Sequence, residues 1–179
     1  MTGMDEFAEF AVGASPRLRR TAFLLCGDWH TAEDLTQTTL AKLFVAWRRI
    51  RRLEGVDAYA TRTLVNAYLT DRRRKRSGEQ PVAEIPEIPV EPDGPELRIA
   101  VMGVLAGLPP GARAVVVMRY WADMSVDQVA AALGCSPGNV KSQCARALAR
   151  LRPLLGEIAA EAGLLGRQPR EGRDRTRSI

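Results

Sequence analysis

Asn139, Ser142, Gln143, Arg146 and Arg150 share one side of the segment 137–151, with Lys141 on its flank. Amide, hydroxyl and guanidinium groups in such a row match base edges in a major groove and the phosphates beside them. The residues that must position the row are written just upstream. Ser125 with Gln128 has the spacing of a capping box at the start of one helix. Gly134 supplies a sharp turn where positive φ is cheap only for glycine. Ser136 and Pro137 then read as N-cap and first-turn proline of a second helix. Val129, Ala130 and Leu133 from the first helix, and Val140, Cys144, Ala147, Leu148 and Leu151 from the second, form the apolar stripe, with Ala130 small where the helices cross. The pattern predicts a helix-turn-helix that reads DNA. An ordinary helical hairpin with a solvated polar face is the competing reading, and the motif alone does not say which type of regulator carries it.

A second candidate surface lies upstream. Tyr59, Arg62, Asn66, Thr70 and Arg73 follow one another at spacings of three or four, on one side of a helix after residue 56. Val56, Ala60, Thr63, Leu64, Ala67 and Asp71 take the other side. The basic stretches "WRRIRRLEG" before it and "DRRRKR" after it flank this face. An aromatic ring, an amide and arginines between basic clusters suit stacking, a polar base contact and phosphate neutralisation on a nucleic-acid strand. A solvated amphipathic helix running into a basic linker would be written the same way. The preceding helix, 31–48, exposes Glu33, Asp34, Gln37 and Lys42 beside Leu40 and Phe44; this mixture suits a protein partner, or a plain solvated face, more than DNA.

Other chemistry finds little to work with. Three cysteines (Cys26, Cys135, Cys144) and one histidine (His30) match no zinc spacing, and they are expected to be small buried hydrophobes. Cys26 and His30 could approach one another at i, i+4, but no third residue orients them and no glycine-rich phosphate loop is present. No catalytic residue, metal or cofactor is expected, and the reading is of a non-enzyme. Net charge is +5 with a pI near 9.6, which favours a polyanionic partner. No apolar run approaches the roughly 18 residues of a membrane span, and no basic-then-apolar leader opens the sequence. A cytoplasmic protein, nucleoid-associated when at work, is the expectation.

The elements that carry these surfaces are helical almost throughout. Ala32, Leu35, Thr39, Leu43 and Trp47 repeat on one side of a helix whose start reads as a Thr31–Asp34 capping pair. "AVVVM" at 114–118 is β-branched but sits in a helical pattern begun by Pro109-Pro110. Between the two halves, residues 77–95 hold five acidic side chains, no basic ones and five prolines. Proline at that density excludes a helix and leaves an extended tether. The expected fold class is all-α: two small helical domains, 1–76 and 96–156, joined by an extended acidic linker, 77–95, and followed by a flexible tail, 157–179.

Taken together these pieces resemble the extracytoplasmic-function, or group IV, sigma factors of bacterial RNA polymerase, over about residues 5–155. "LLCGDWHTAEDLTQTTLAKLFVAW" is similar to that family's region 2.2. "DAYATRTLVNAYLTDRRRKR" is similar to regions 2.3 and 2.4, and the stretch from "LAGLPPGARAVVVMRYW" to "VKSQCARALARLR" is similar to region 4. The coupling of "YATRTLVN" with "GNVKSQCARALARLR" looks most like an actinobacterial, SigE-like subgroup. The resemblance implies a division of labour. Asp34, Gln37, Thr38 and Lys42 would dock on the clamp helices of the polymerase beta-prime subunit; the family often has Glu where Thr38 stands. Arg51 and Arg52 belong to the loop, 51–56, that would trap a flipped base of the −10 element. Tyr59, Arg62, Asn66 and Arg73 would hold the non-template strand. Asn139, Lys141, Ser142, Gln143 and Arg146 would enter the −35 major groove, with Thr the commoner family residue at 139. Arg113 and Arg119 would touch DNA backbone or polymerase, whose beta flap is a further partner of the family. The acidic linker would thread toward the active-site channel, and an anti-sigma factor often regulates members of the family. A stand-alone helix-turn-helix regulator, with residues 1–76 as a sensor or dimerisation domain, is the rival reading.

Overall fold

The computed structural model describes residues 3–52, 55–77 and 95–161, and among these every element is helical. Helix α1 runs Gly3–Cys26, α2 Trp29–Ile50 and α3 Val56–Ser77. After the linker come α4 (Pro95–Ala106), α5 (Pro110–Val116), a π-helical turn (Val117–Trp121), α6 (Val126–Leu133) and α7 (Pro137–Glu161). The β-branched "AVVVM" run is helical, as its period and the prolines before it require, and Pro110 occupies the first turn of α5.

The first module is a three-helix unit whose apolar stripes meet at Leu18, Ala22 and Leu25 of α1, Leu43 and Ile50 of α2, and Ala60, Leu64 and Val65 of α3. Aromatic rings close its ends. Phe7 and Phe10 lie 5.3 and 5.0 Å from the Trp47 ring, and Phe23 stacks on Trp29 at 4.1 Å. Arg19 adds its guanidinium over the Trp29 ring at 5.0 Å. Buried threonines bring polar atoms into this core without leaving them unpaired: the Thr36 and Thr39 hydroxyls donate to the carbonyls of Ala32 and Leu35, each at 2.7 Å.

The start of α2 differs from the sequence expectation. The cap is Asp28, whose carboxylate accepts from the Thr31 amide at 2.6 Å, and the helix begins at Trp29, before the anticipated Thr31–Asp34 pair. Gly27, at φ +80, ends α1 by bonding its amide to the Phe23 carbonyl, and this sets Asp28 in extended backbone where a cap is needed.

The second module packs α4, α5 and α6 against α7 around Leu105, Val115, Met118, Val129, Val140 and Ala147. The Arg150 guanidinium donates to the Gly107 carbonyl at 3.1 Å and so ties α7 to the end of α4. Helix α7 continues to Glu161, past the position at which the tail was expected to begin; residues 162–179 and the linker residues 78–94 lie outside those described.

The two modules are not held apart. Helix α1 packs against α4, α5 and the π-helical turn as well as α2 and α3, while α3 meets α5 and α6. The buried side chains of both modules form one continuous core. A tether with independent domains at its ends had been the expectation; the structure adds an interface between them.

The Asp28 carboxyl sits below the ordinary aspartate value, chiefly because the Thr31 amide and hydroxyl hydrogen-bond its charged form. Its stabilising effect is therefore complete above about pH 4 and is lost as pH falls through the lowered native value. Asp28→Ala should cost about 1 kcal/mol in urea unfolding at pH 7, and the difference from the parent should shrink on acidification below pH 4; a difference independent of pH would contradict the cap.

Candidate nucleic-acid interface

Each local device read from residues 125–151 is in place. The Gln128 amide donates to Ser125 Oγ at 3.1 Å while the Ser125 amide donates to Gln128 Oε1 at 2.7 Å, completing the capping box on α6. Gly134 adopts φ +63, ψ +38, and the Cys135 amide then reaches back to the Ala130 carbonyl. Ser136 Oγ accepts from the Asn139 amide at 3.2 Å and starts α7. Val129 and Val140 are fully buried at the crossing, with Ala130, Ala132, Cys144 and Ala147 around them; Leu133, Leu148 and Leu151 are only half-buried.

This packing turns Asn139, Lys141, Ser142 and Arg146 outward on α7. Gln143 is half-buried and donates its amide to Asn139 Oδ1 at 2.8 Å. The pair presents a fixed amide group at the helix start. A row of neutral donors and acceptors followed by a guanidinium, on the free side of a braced helix, is what base-edge contact needs.

On α3, Arg62, Asn66 and Arg73 are exposed and Tyr59 is half-buried. Thr70 turns its hydroxyl back to the Asn66 carbonyl at 2.8 Å. Its opposite side is more deeply covered than helical period alone indicated: Thr61, Val65 and Tyr68 are buried along with Ala60, Leu64 and Ala67. The second module packs against α3 as well, and Tyr68 lies near Arg113 of α5. Arg52 is exposed, but Arg51 is engaged, donating to Glu6 Oε2 of α1 at 2.6 Å. Residues 53 and 54 of the anticipated base-trapping loop lie outside those described.

Asp34, Gln37, Thr38 and Lys42 form one exposed stripe on α2, with Gln37 donating to Glu33 Oε1 at 3.1 Å. The same stripe continues to Val45, which is 87% exposed, beside Phe44 at 50%. Val45 was absent from the sequence-derived set. Its signal was present: an apolar residue at i+3 from Lys42 on an otherwise polar face.

Two arginines of the second module depart from expectation. Arg113 is 6% exposed; its Nε donates to the Leu24 carbonyl of α1 at 2.7 Å, and its surroundings include Tyr68 and Cys26. It cannot contact DNA backbone or polymerase in this conformation, because α5 is covered by α1 and α3. Arg119 is half-buried, with one guanidinium nitrogen on the Met124 carbonyl and its cation 5.8 Å from the Tyr120 ring. It braces the turn leading to α6, where Asp123 holds a positive φ.

The cysteines divide as well. Cys144 is buried, whereas Cys26 and Cys135 are half-buried rather than fully packed. The Cys26 thiol donates to the Asp28 carbonyl, and burial pushes its pKa up, which keeps it protonated and unreactive. Among the described residues no cluster of three or more His, Cys, Asp or Glu side chains could hold a metal, and no helix is long and apolar enough to cross a membrane.

Comparison with known proteins places these surfaces in a family. Residues 13–78 match the family model for sigma-70 region 2, and residues 98–151 match that for sigma-70 region 4. The RNA polymerase sigma-E factor of Streptomyces coelicolor is 40% identical over 169 residues, covering 93% of this chain and 95% of that protein. The chain belongs to the extracytoplasmic-function sigma factors of RNA polymerase. The sigma-E factor of Streptomyces avermitilis is 38% identical over the same length, covering 93% of this chain and 94% of its own. The solved sigma factor RpoE of Bartonella quintana, in complex with the anti-sigma factor NepR, superposes with a TM-score of 0.66 at 26% identity, over 84% of this chain and 97% of that one. As a sigma factor the protein is a non-catalytic polymerase subunit. Region 2 thus spans most of α1 together with α2 and α3, and region 4 carries the helix-turn-helix.

The turn at Gly134 sets the angle of α7 in this sigma factor. A Cβ there would meet nothing within 4 Å, so any cost of substitution comes from the left-handed backbone alone. Gly134→Ala should lower stability by about 1–2 kcal/mol in chemical denaturation; an unchanged unfolding midpoint would contradict that account.

Proposed function

We propose that this sigma factor reads promoters at two points, with α7 in the −35 major groove and α3 on the −10 non-template strand. The observation that carries the reading is the arrangement of α7: a helix N-capped by Ser136 and crossed by α6, whose exposed side is Asn139, Lys141, Ser142 and Arg146. Lys141 and Arg146 supply phosphate or guanine contacts, and the Asn139–Gln143 amide pair suits adenine. On α3, Arg62 and Arg73 neutralise phosphates, Tyr59 stacks and Asn66 contacts a base extruded as the duplex opens. Arg52 serves the same strand. Arg51, paired with Glu6, supports the loop, and Arg113 is withdrawn from the set.

Sigma factors bind core RNA polymerase. Here the docking stripe on α2 is assigned to Asp34, Gln37, Thr38 and Lys42, extended by Val45, on the clamp helices of beta-prime; region 4 is assigned to the beta flap. A cytoplasmic site of action, at the nucleoid, follows from such partners. An anti-sigma factor is a further partner by analogy with the Bartonella complex.

Run-off transcription with reconstituted core polymerase is the decisive experiment. The protein should support initiation with core and show little duplex binding without it. Tight, sequence-specific duplex binding without core, together with no transcription in its presence, would favour a stand-alone regulator and end this reading. Within the assay, Arg146→Ala should reduce use of promoters that depend on the −35 element by about 10- to 100-fold, the range for one good base contact. Asn66→Ala should leave −35 binding intact and slow strand opening, as read by permanganate reactivity of unpaired thymines.

A further inference from the structure

We propose that Gln143 is a positioning residue for base reading: it pins the Asn139 amide so that Asn139 accepts adenine and rejects guanine at one place in the −35 element. The inference rests on the function proposed above and carries it from a helix that enters the groove to a base that the helix selects.

The geometry begins at the backbone. Asn139 lies in the first turn of α7, where its main-chain N–H is bonded to Ser136 Oγ at 3.2 Å. Ser136 thus supplies the cap, and the Asn139 side chain is not drawn into that role. One turn on, Gln143 Nε2 donates to Asn139 Oδ1 at 2.8 Å, at the i, i+4 spacing where two side chains of one helix meet. The two residues are not equivalent. Asn139 is exposed, whereas Gln143 is half-buried on the border of a cleft that Leu133, Cys135 and Arg73 also line. Gln143 is therefore the better-held partner, and Asn139 the one that reaches a base.

The bond decides what Asn139 can offer. A primary amide carries one oxygen and one NH2 group, and turning it by half a revolution exchanges them. With its oxygen engaged by Gln143, Asn139 keeps both Nδ2 hydrogens and one oxygen lone pair for DNA. An approach of oxygen to oxygen, or of NH2 to NH2, is repulsive, so the Asn139 amide cannot turn by itself. In the major groove adenine presents its N7 acceptor beside its N6 donor, which an amide held with nitrogen and oxygen side by side meets with two hydrogen bonds. Guanine presents two acceptors, N7 and O6, and its O6 would face the Asn139 oxygen lone pair to lone pair. A loose asparagine evades that clash by swinging its NH2 group onto O6, and so makes one bond with either purine. Gln143 removes the escape. Arg146, exposed on the same helix and carrying donors only, suits guanine and marks a separate position of the site.

The test is transcription by reconstituted core polymerase with the full-length chain, on a pool of promoters randomised across the −35 element, with the transcribed templates sequenced. The parent should prefer adenine to guanine at least about tenfold at one position, and Asn139→Ala should erase that preference. Gln143→Met keeps the length of the side chain but cannot donate; it should bring the same ratio to within about threefold of unity. The position whose guanine preference is lost in Arg146→Ala should keep it in Gln143→Met. Gln143→Glu, an acceptor only, should turn the Asn139 NH2 group inward and abolish the adenine preference as well. A merely structural role for Gln143 would lower transcription from every sequence without changing one ratio, and that result overturns the proposal. So does an adenine preference that survives in either Gln143 variant, or one that Asn139→Ala leaves unchanged. If Gln143→Met loses helical circular dichroism, Gln143→Ala decides by the same ratio; loss of fold in both marks Gln143 as structural and likewise overturns the proposal. A parent profile flat across the −35 element sinks the two-point reading itself, whereas a structured parent profile indifferent to Gln143 sinks this inference alone.

Discussion

Helix α1 has to bury two sides at once, and the rest of the molecule is arranged around that demand. Leu18, Ala22 and Leu25 lie in the one core that both modules share, and the α1 backbone receives Arg113 while its Thr21 receives Trp121. Burial of apolar surface at about 25 cal/mol per Å² is indifferent to which module provides the cover. A helix apolar or small on more than one face will therefore recruit whatever it can reach. Here it reaches α2 and α3 on one side and α4, α5 and the π-helical turn on the other.

That sharing separates the two surfaces with polar chemistry from the two that pack. On α7 the stripe of Val140, Cys144 and Ala147 is consumed by α6 and α5, which leaves Asn139, Lys141, Ser142 and Arg146 to solvent. On α3, Ala60, Leu64, Val65 and Tyr68 are buried, in a helix that packs against α1 and α2 of the first module and α5 and α6 of the second. The outward row with Arg62 and Asn66 is what remains. The α2 stripe from Asp34 to Val45 stays uncovered, and its exposed valine would be an odd residue for a face that meets only water. These surfaces stay on the outside because the core has no use for them.

Arg113 shows how a motif can mislead about a role. Its type, a basic residue just ahead of a helix-turn-helix, suggests contact with a polyanion. Its position on α5, within a run of buried residues from Arg113 to Met118, points inward instead. Arg119 is similar on a smaller scale, since it is spent on the Met124 carbonyl. Charged residue type identifies what a side chain can bind; only packing says whether a helix terminus or a phosphate is the group in reach.

Local spacing was sufficient for the helical class, the helix-turn-helix with both its caps and its glycine turn, the polar rows on α3 and α7, and the family. All of these depend on spacing within twenty residues or so, and the backbone converts such spacing directly into a face or a cap. It misplaced the start of α2, because Asp28 and Thr31 are both competent caps and the choice depended on how Gly27 ended the preceding helix. Tertiary structure alone decided that the modules close on one another, that Arg113 and Arg51 are committed to α1, and that Arg73 and Gln143 border one cleft. Those outcomes join residues as many as 100 positions apart, on helices whose periodicity is complete without them. No local pattern encodes a contact of that kind, because it arises only when two finished helical surfaces compete for the same cover.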